Sequence, residues 1–87
     1  MYSLIYLKSA QKHIGRLDRS VAQRIKRKLD WLLVNVENID PEWLHYDLAG
    51  LAKLREGDFR IIYEIRRDRN EVLIHAIGHR SEIYKDR

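Results

Sequence analysis

The chain has 87 residues, 45% of them hydrophobic, which suits one globular domain over 1–87 and excludes a disordered chain. Lys and Arg number 17 against 13 Asp and Glu, a formal net charge of +4 that favours polyanions: nucleic acid, an acidic protein or an anionic membrane. There is no cysteine, which excludes a disulfide scaffold, a thiolate nucleophile and cysteine-ligated zinc.

No apolar run approaches the length of a membrane span. The opening MYSLIYLKSAQKH lacks a basic region followed by a long apolar core, the pattern of a signal peptide. The expectation is a cytoplasmic protein with no membrane partner.

Tyr2 to Leu7, rich in Tyr, Ile and Leu, predicts a first strand. In Lys8 to Leu17 the residues Leu7, Ala10, Ile14 and Leu17 recur at helical spacing, and Gly15 keeps that helix short. Ser20 opens a second helix, where Ser20 and Gln23 match a capping box. Val21, Ile25, Leu29, Leu32, Leu33 and Val36 form its apolar stripe. Between Lys8 and Lys28 there are eight basic residues and one acid, Asp18. Lys26 and Arg27 on this helix are either a solvated face or contacts for a polyanion.

Asp40-Pro41 breaks the helix. Pro41 to Gly50 reads as a loop or one helical turn whose Trp43, Leu44, Tyr46 and Leu48 fold onto the core. Leu51 to Arg55 alternates as a strand, with Lys53 and Arg55 on one face. Glu56-Gly57-Asp58 is a turn. Phe59 to Ile65 is a strong strand: Phe59, Ile61, Tyr63 and Ile65 face one way, and Arg60, Ile62 and Glu64 the other. Glu71 to Ile77 is a last strand, and Gly78 permits a bend before His79 and Arg80. The predicted fold is α+β in the order β-α-α-β-β-β. It has a small antiparallel sheet and two N-terminal helices on one face, with the other face open and cationic.

The four histidines lack the spacing of a metal site, and there is no dinucleotide or phosphate-loop motif, so neither metal nor cofactor is expected. The basic residues offer different chemistry. RNA is cut without a metal when its 2′-hydroxyl attacks the adjacent phosphorus. That reaction needs a proton acceptor, cations for the charge on phosphorus, and a donor for the leaving 5′ oxygen. Lysine, arginine and tyrosine can supply these roles, and the same cluster can also bind phosphate without cutting. Each candidate has a plainer reading. Lys53 serves equally as an edge lysine, Arg55 as an ion pair with Glu56 or Asp58, and Arg60 as a partner of Glu64 or Glu71. Arg80 reads as a surface arginine and Tyr84 as a packing residue. His79, beside Arg80, can exchange a proton near neutral pH. His13 is expected to be exposed, and His45 and His75 to pack.

Leu48-Ala49-Gly50-Leu51, Lys53-Leu54-Arg55, Gly57-Asp58-Phe59-Arg60-Ile61-Ile62-Tyr63 and Ile77-Gly78-His79-Arg80-Ser81-Glu82-Ile83-Tyr84 together resemble the RelE branch of the RelE/ParE toxin superfamily. The resemblance covers nearly the whole chain and rests on the order and spacing of these short motifs. It implies a toxin of a type II toxin–antitoxin system that enters the ribosomal A site. Such a toxin cuts messenger RNA there, without a metal, leaving a cyclic phosphate and a 5′-hydroxyl.

The resemblance also implies the site. Tyr84, aided by Lys53, would accept the 2′ proton. Arg60 would hold the phosphate, and Arg80, or His79 in its place, would assist the leaving oxygen. Arg55 would be a secondary phosphate contact, and Lys26 and Arg27 would suit small-subunit ribosomal RNA. Some members carry a second lysine two residues before the one matched by Lys53, where this chain has Leu51. The implied partners are a cognate antitoxin, the ribosome and messenger RNA, with no DNA recognition by this chain alone. The alternative is a ParE-like toxin that inhibits DNA gyrase by binding, without catalysis.

Overall fold

The computed structural model describes residues 1–45 and 48–83. The elements are β1 (Ser3–Tyr6), α1 (Lys8–Gly15), α2 (Arg19–Asn35), β2 (Glu42–Trp43), β3 (Ala52–Glu56), β4 (Phe59–Arg66) and β5 (Glu71–His79). They form one five-stranded sheet in the order β1-β5-β4-β3-β2. The expected α+β layering holds, but the sheet is mixed. The pairs β2·β3, β3·β4 and β4·β5 are antiparallel, while β1 runs parallel to β5. The segment read as a loop or one helical turn supplies the short edge strand β2, and its Trp43 stays 47% exposed instead of folding onto the core.

Alternation along β3 and β4 sorts the two faces as the sequence implies. Ala52, Ile61 and Tyr63 are buried with Val72, Ile74 and Ile77 of β5. Against them α2 places Ile25, Leu29, Leu32 and Val36, the predicted stripe, and α1 adds Ala10. Ile62 and Leu73 are also nearly buried but stand outside that cluster, on the other side of the sheet. Helix α2 begins at Arg19 with Asp18 at its N-cap and no side-chain cap hydrogen bond. Ser20 therefore lies inside the first turn, and the expected capping box does not form.

Helix α1 stands where β1 stops. The Leu7 amide donates to the Ile74 carbonyl at 2.9 Å, the last bond of the β1 edge. Beyond it, side chains of α1 take over the exposed backbone of β5. Ser9 Oγ donates to the His75 carbonyl at 2.7 Å, and the Ile77 amide donates to His13 Nδ1 at 3.1 Å. Without these partners the edge of β5 would carry unpaired polar groups. His13 is thus half-buried and structural, unlike the exposed histidine expected.

The β4–β5 ladder shifts register between Ile62 and Tyr63, which face Ala76 and Ile74 and leave His75 as the extra residue. A bulge of this kind re-aims a side chain. Gly57, with φ of 59°, makes the tight β3–β4 turn in a conformation other residues rarely adopt. Gly78 makes no bend; β5 runs through it to His79.

Candidate nucleic-acid interface

The face away from α2 carries the cations. In the β3–β4 register Arg55 is directly opposite Arg60, and Lys53 is opposite Ile62. Across the next ladder Arg60 faces Gly78 and Ile62 faces Ala76. Two rows result: Arg55–Arg60–Gly78, and Lys53–Ile62–Ala76 beside it. On the β5 side Ala76 is small, while the space over Gly78 is taken by Ile83, whose Cδ1 lies 3.1 Å from where a Cβ would stand.

Lys53, Arg60 and Arg80 each have a local anchor. Arg60 Nη1 donates to the Phe59 carbonyl at 2.9 Å and to the Gly57 carbonyl at 3.0 Å, so its guanidinium is turned toward the β3–β4 turn. Lys53 Nζ lies 3.1 Å from Glu42 Oε2, its register partner on β2. Arg80 is held to the same turn by its backbone, whose amide donates to the Asp58 carbonyl at 2.8 Å. Its guanidinium approaches Asp58 Oδ1 only to 3.7 Å and is well exposed. Arg60, from β4, and Arg80, just past the end of β5, therefore both reach the same hairpin turn.

The remaining sequence candidates are placed differently. His79 faces Phe59 across the ladder, and the two rings meet edge-on at 5.6 Å. His79 is exposed at the end of β5, where its Nδ1 accepts the Ser81 amide at 3.1 Å. Lys26 and Arg27 are exposed on α2, on the reverse side from Arg60. Tyr84 lies outside the described residues. Tyr63, the aromatic residue within the strand motif, is buried in the core, and burial pushes its phenol above the ordinary range.

Among the described residues no group of three or more His, Cys, Asp or Glu is placed to hold a metal ion, and no helix is long and apolar enough to cross a membrane.

Beside the cation rows lies a concavity of about 500 Å³ floored by Leu51, Ile62 and Ala76, with His13, His75, His79, Arg16 and Glu82 among the residues that line it. Neither His13 nor His75 was singled out from the sequence. At its end Glu64 bridges two side chains: Oε2 accepts from Arg66 Nε and Oε1 meets His75 Nε2, both at 2.9 Å. The Arg66 hydrogen bond, then the His75 one, hold the Glu64 carboxyl below the usual carboxylate range. A spacing of Glu64 and His75 eleven residues apart carries no sequence signal; only the bulge at His75 brings them together.

A family model described as the ParE toxin of type II toxin–antitoxin system, parDE, matches residues 4–84. Solved structures give the same fold. The toxin–antitoxin complex RelBE2 of Mycobacterium tuberculosis matches with a TM-score of 0.80 at 20% identity, over 90% of this chain and 96% of that one. The isolated RelE toxin of E. coli matches with a TM-score of 0.77 at 22% identity, over 99% and 94%. The YoeB–YefM complex of Staphylococcus aureus matches with a TM-score of 0.70 at 19% identity, over 91% and 97%. No curated protein matches in sequence.

Proposed function

The chain belongs to the family of ParE toxins of type II toxin–antitoxin systems, within the RelE/ParE superfamily, and from that membership we propose that it is a ribosome-dependent endoribonuclease that cuts messenger RNA in the A site. The observation that carries this reading is the Arg55–Arg60–Gly78 row with Lys53 beside it. It is a cationic strip with open space next to it, the surface a bent single strand of RNA needs.

In the proposed reaction the 2′ oxygen bonds to phosphorus and the bond to the 5′ oxygen breaks. Arg60, its guanidinium pre-oriented by the turn carbonyls, neutralises the charge that develops on the phosphoryl oxygens. Arg55 adds a second fork across the ladder, and Lys53 supplies a compact charge. Arg80, anchored on the same turn, is the candidate donor toward the leaving 5′ oxygen. Tyr84 is kept as the proton acceptor on the strength of the family resemblance alone. The placement of His79 against Phe59 makes it a second choice to Arg80. Lys26 and Arg27, on the opposite side, are left free to meet ribosomal RNA while the strip holds the messenger.

The partner we propose is an antitoxin. The M. tuberculosis and S. aureus neighbours are complexes of a toxin with its antitoxin, and an acidic segment laid over the strip would silence it. The site of action is the cytoplasm, where ribosomes are.

The ParE name of the matching family favours one alternative, inhibition of DNA gyrase by binding alone. One experiment separates the two. The chain is added to programmed ribosomes and, separately, to gyrase with relaxed DNA, and messenger 5′ ends and supercoiling are read. Cut messenger that is lost in Arg60→Ala and Arg80→Ala and reduced in Tyr84→Phe supports the nuclease. Intact messenger with blocked supercoiling supports the alternative.

A further inference from the structure

Among the residues that line the concavity beside the cation rows are two imidazoles, His13 and His75, whose hydrogen-bonding polarity is set by the fold. His13 Nδ1 accepts the Ile77 amide. In the neutral ring its proton is therefore on Nε2, and that N–H is a donor. His75 is the reverse. Its Nε2 meets Glu64 Oε1, and an ionised carboxylate only accepts, so in the neutral ring the proton sits on Nε2 and Nδ1 is left as an acceptor. Arg66 holds the other oxygen of Glu64, so the carboxylate cannot turn away. Among the described residues, neither His13 Nε2 nor His75 Nδ1 meets a further partner.

These free positions are not placed for the scissile phosphate. Gly78 faces Arg60, and His75 precedes it by three positions, which at the rise of an extended strand is about 10 Å. The Arg60 guanidinium also turns the other way, toward Gly57. A group that far from the phosphate clamp is about one nucleotide removed. Between them the floor is apolar: Leu51, Ile62 and Ala76. An apolar floor with a donor at His13 and an acceptor at His75, on a rim that also carries Arg16, His79 and Glu82, suits a heterocyclic base, which stacks on its face and bonds along its edge. A volume of about 500 Å³ accommodates such a group with its ribose.

We propose that this concavity seats the base of the nucleotide flanking the cut linkage, with His75 Nδ1 accepting a base N–H and His13 Nε2–H donating to a base nitrogen or carbonyl. This deepens the endoribonuclease reading and rests on it for the identity of the ligand as RNA. The strip then grips the backbone and the concavity reads the base, so sequence preference resides in His75, Glu64 and His13 and not in the arginines.

The test is a titration with ribose 5-phosphate and with each of the four nucleoside 5′-monophosphates, following the imidazole Cε1–H resonances of His75 and His13. The expected result is saturable movement of both signals with nucleotides, unequal among the four bases, and little movement with ribose 5-phosphate. Glu64→Gln, which frees the His75 tautomer, weakens the nucleotides about tenfold and leaves ribose 5-phosphate unchanged. Equal responses to all five ligands, or none, overturn the base seat without recourse to any variant. Because no ribosome is involved, the two readings fail separately. Base-selective binding by a chain that leaves messenger intact on ribosomes defeats the nuclease alone, and cleavage without base-selective binding defeats the seat alone.

Discussion

Arg55 and Arg60 stand directly opposite each other across the β3–β4 ladder, both on the face that α2 leaves uncovered. Like charges in register disfavour the pairing by about 0.2–1 kcal/mol. The sheet tolerates this in part because the Arg60 guanidinium is drawn off toward the Gly57 and Phe59 carbonyls. An anion between the two would remove the repulsion altogether. Arg55→Gln is therefore expected to raise the melting temperature by about 1–6 °C while weakening single-stranded RNA. In a salt titration the slope of log affinity on log salt should flatten by about 0.7, the loss of one phosphate contact. A destabilised variant with an unchanged slope would mean that Arg55 serves the fold.

Lys53 presents the opposite case, a cation matched across the edge ladder by Glu42 at 3.1 Å. Glu42 is more than half exposed, and exposed ion pairs contribute at most about 1 kcal/mol. RNA phosphate must compete with this carboxylate for the lysine. Glu42→Gln should hold the melting temperature within about 3 °C and tighten RNA binding several-fold at low salt, with the gain fading as ionic strength rises. Binding by filter retention at two salt concentrations is sufficient to see it.

These two pairs show what the sequence could reveal. Period-two alternation from Leu51 to Ile65 was enough to put Lys53, Arg55 and Arg60 on one face, because a strand allows only two. The stripe of α2 was legible for the same reason, through its period of 3.6. Strand order was not: nothing in Tyr2 to Leu7 says that it will pair parallel to a strand about seventy residues away. Nor does the sequence around His75 announce a bulge, so the Glu64–His75 contact and the role of His13 at the β5 edge were invisible. The edge-on contact of His79 with Phe59 was equally illegible, since the two residues are twenty apart and meet only through the β4–β5 register.

Gly78 is small for the sake of Ile83. A Cβ built at Gly78 would lie 3.1 Å from Ile83 Cδ1, a contact relieved by a small shift of that side chain. Gly78→Ala is expected to destabilise by less than about 1.5 kcal/mol. Ile83→Val deletes the atom in question. In urea unfolding the double variant should therefore be more stable than the sum of the two single changes. Additive stabilities would show that Ile83 is not what limits the space.

Glu64 makes the pH behaviour of the fold predictable. Its carboxyl is held below the usual range by the hydrogen bond from Arg66 and then by that from His75. A group with a depressed folded pKa binds a proton more readily when unfolded, so it stabilises the native state above its unfolded pKa. That contribution is complete above the ordinary glutamate value near ~4.3 and is lost as pH falls through the lower folded value. Glu64→Gln removes the charge and keeps the shape. At pH 7 the variant should melt about 5 °C below the parent, the effect of roughly 1 kcal/mol for a partly exposed charged hydrogen bond in a chain of this size. As the pH is taken from about 5 to about 2.5, the two melting curves should converge, since the parent carboxyl becomes as neutral as the amide. A gap that stays constant over that range would show that Glu64 acts through packing and not through its charge. It would also remove the reason for assigning the proton of His75 to Nε2.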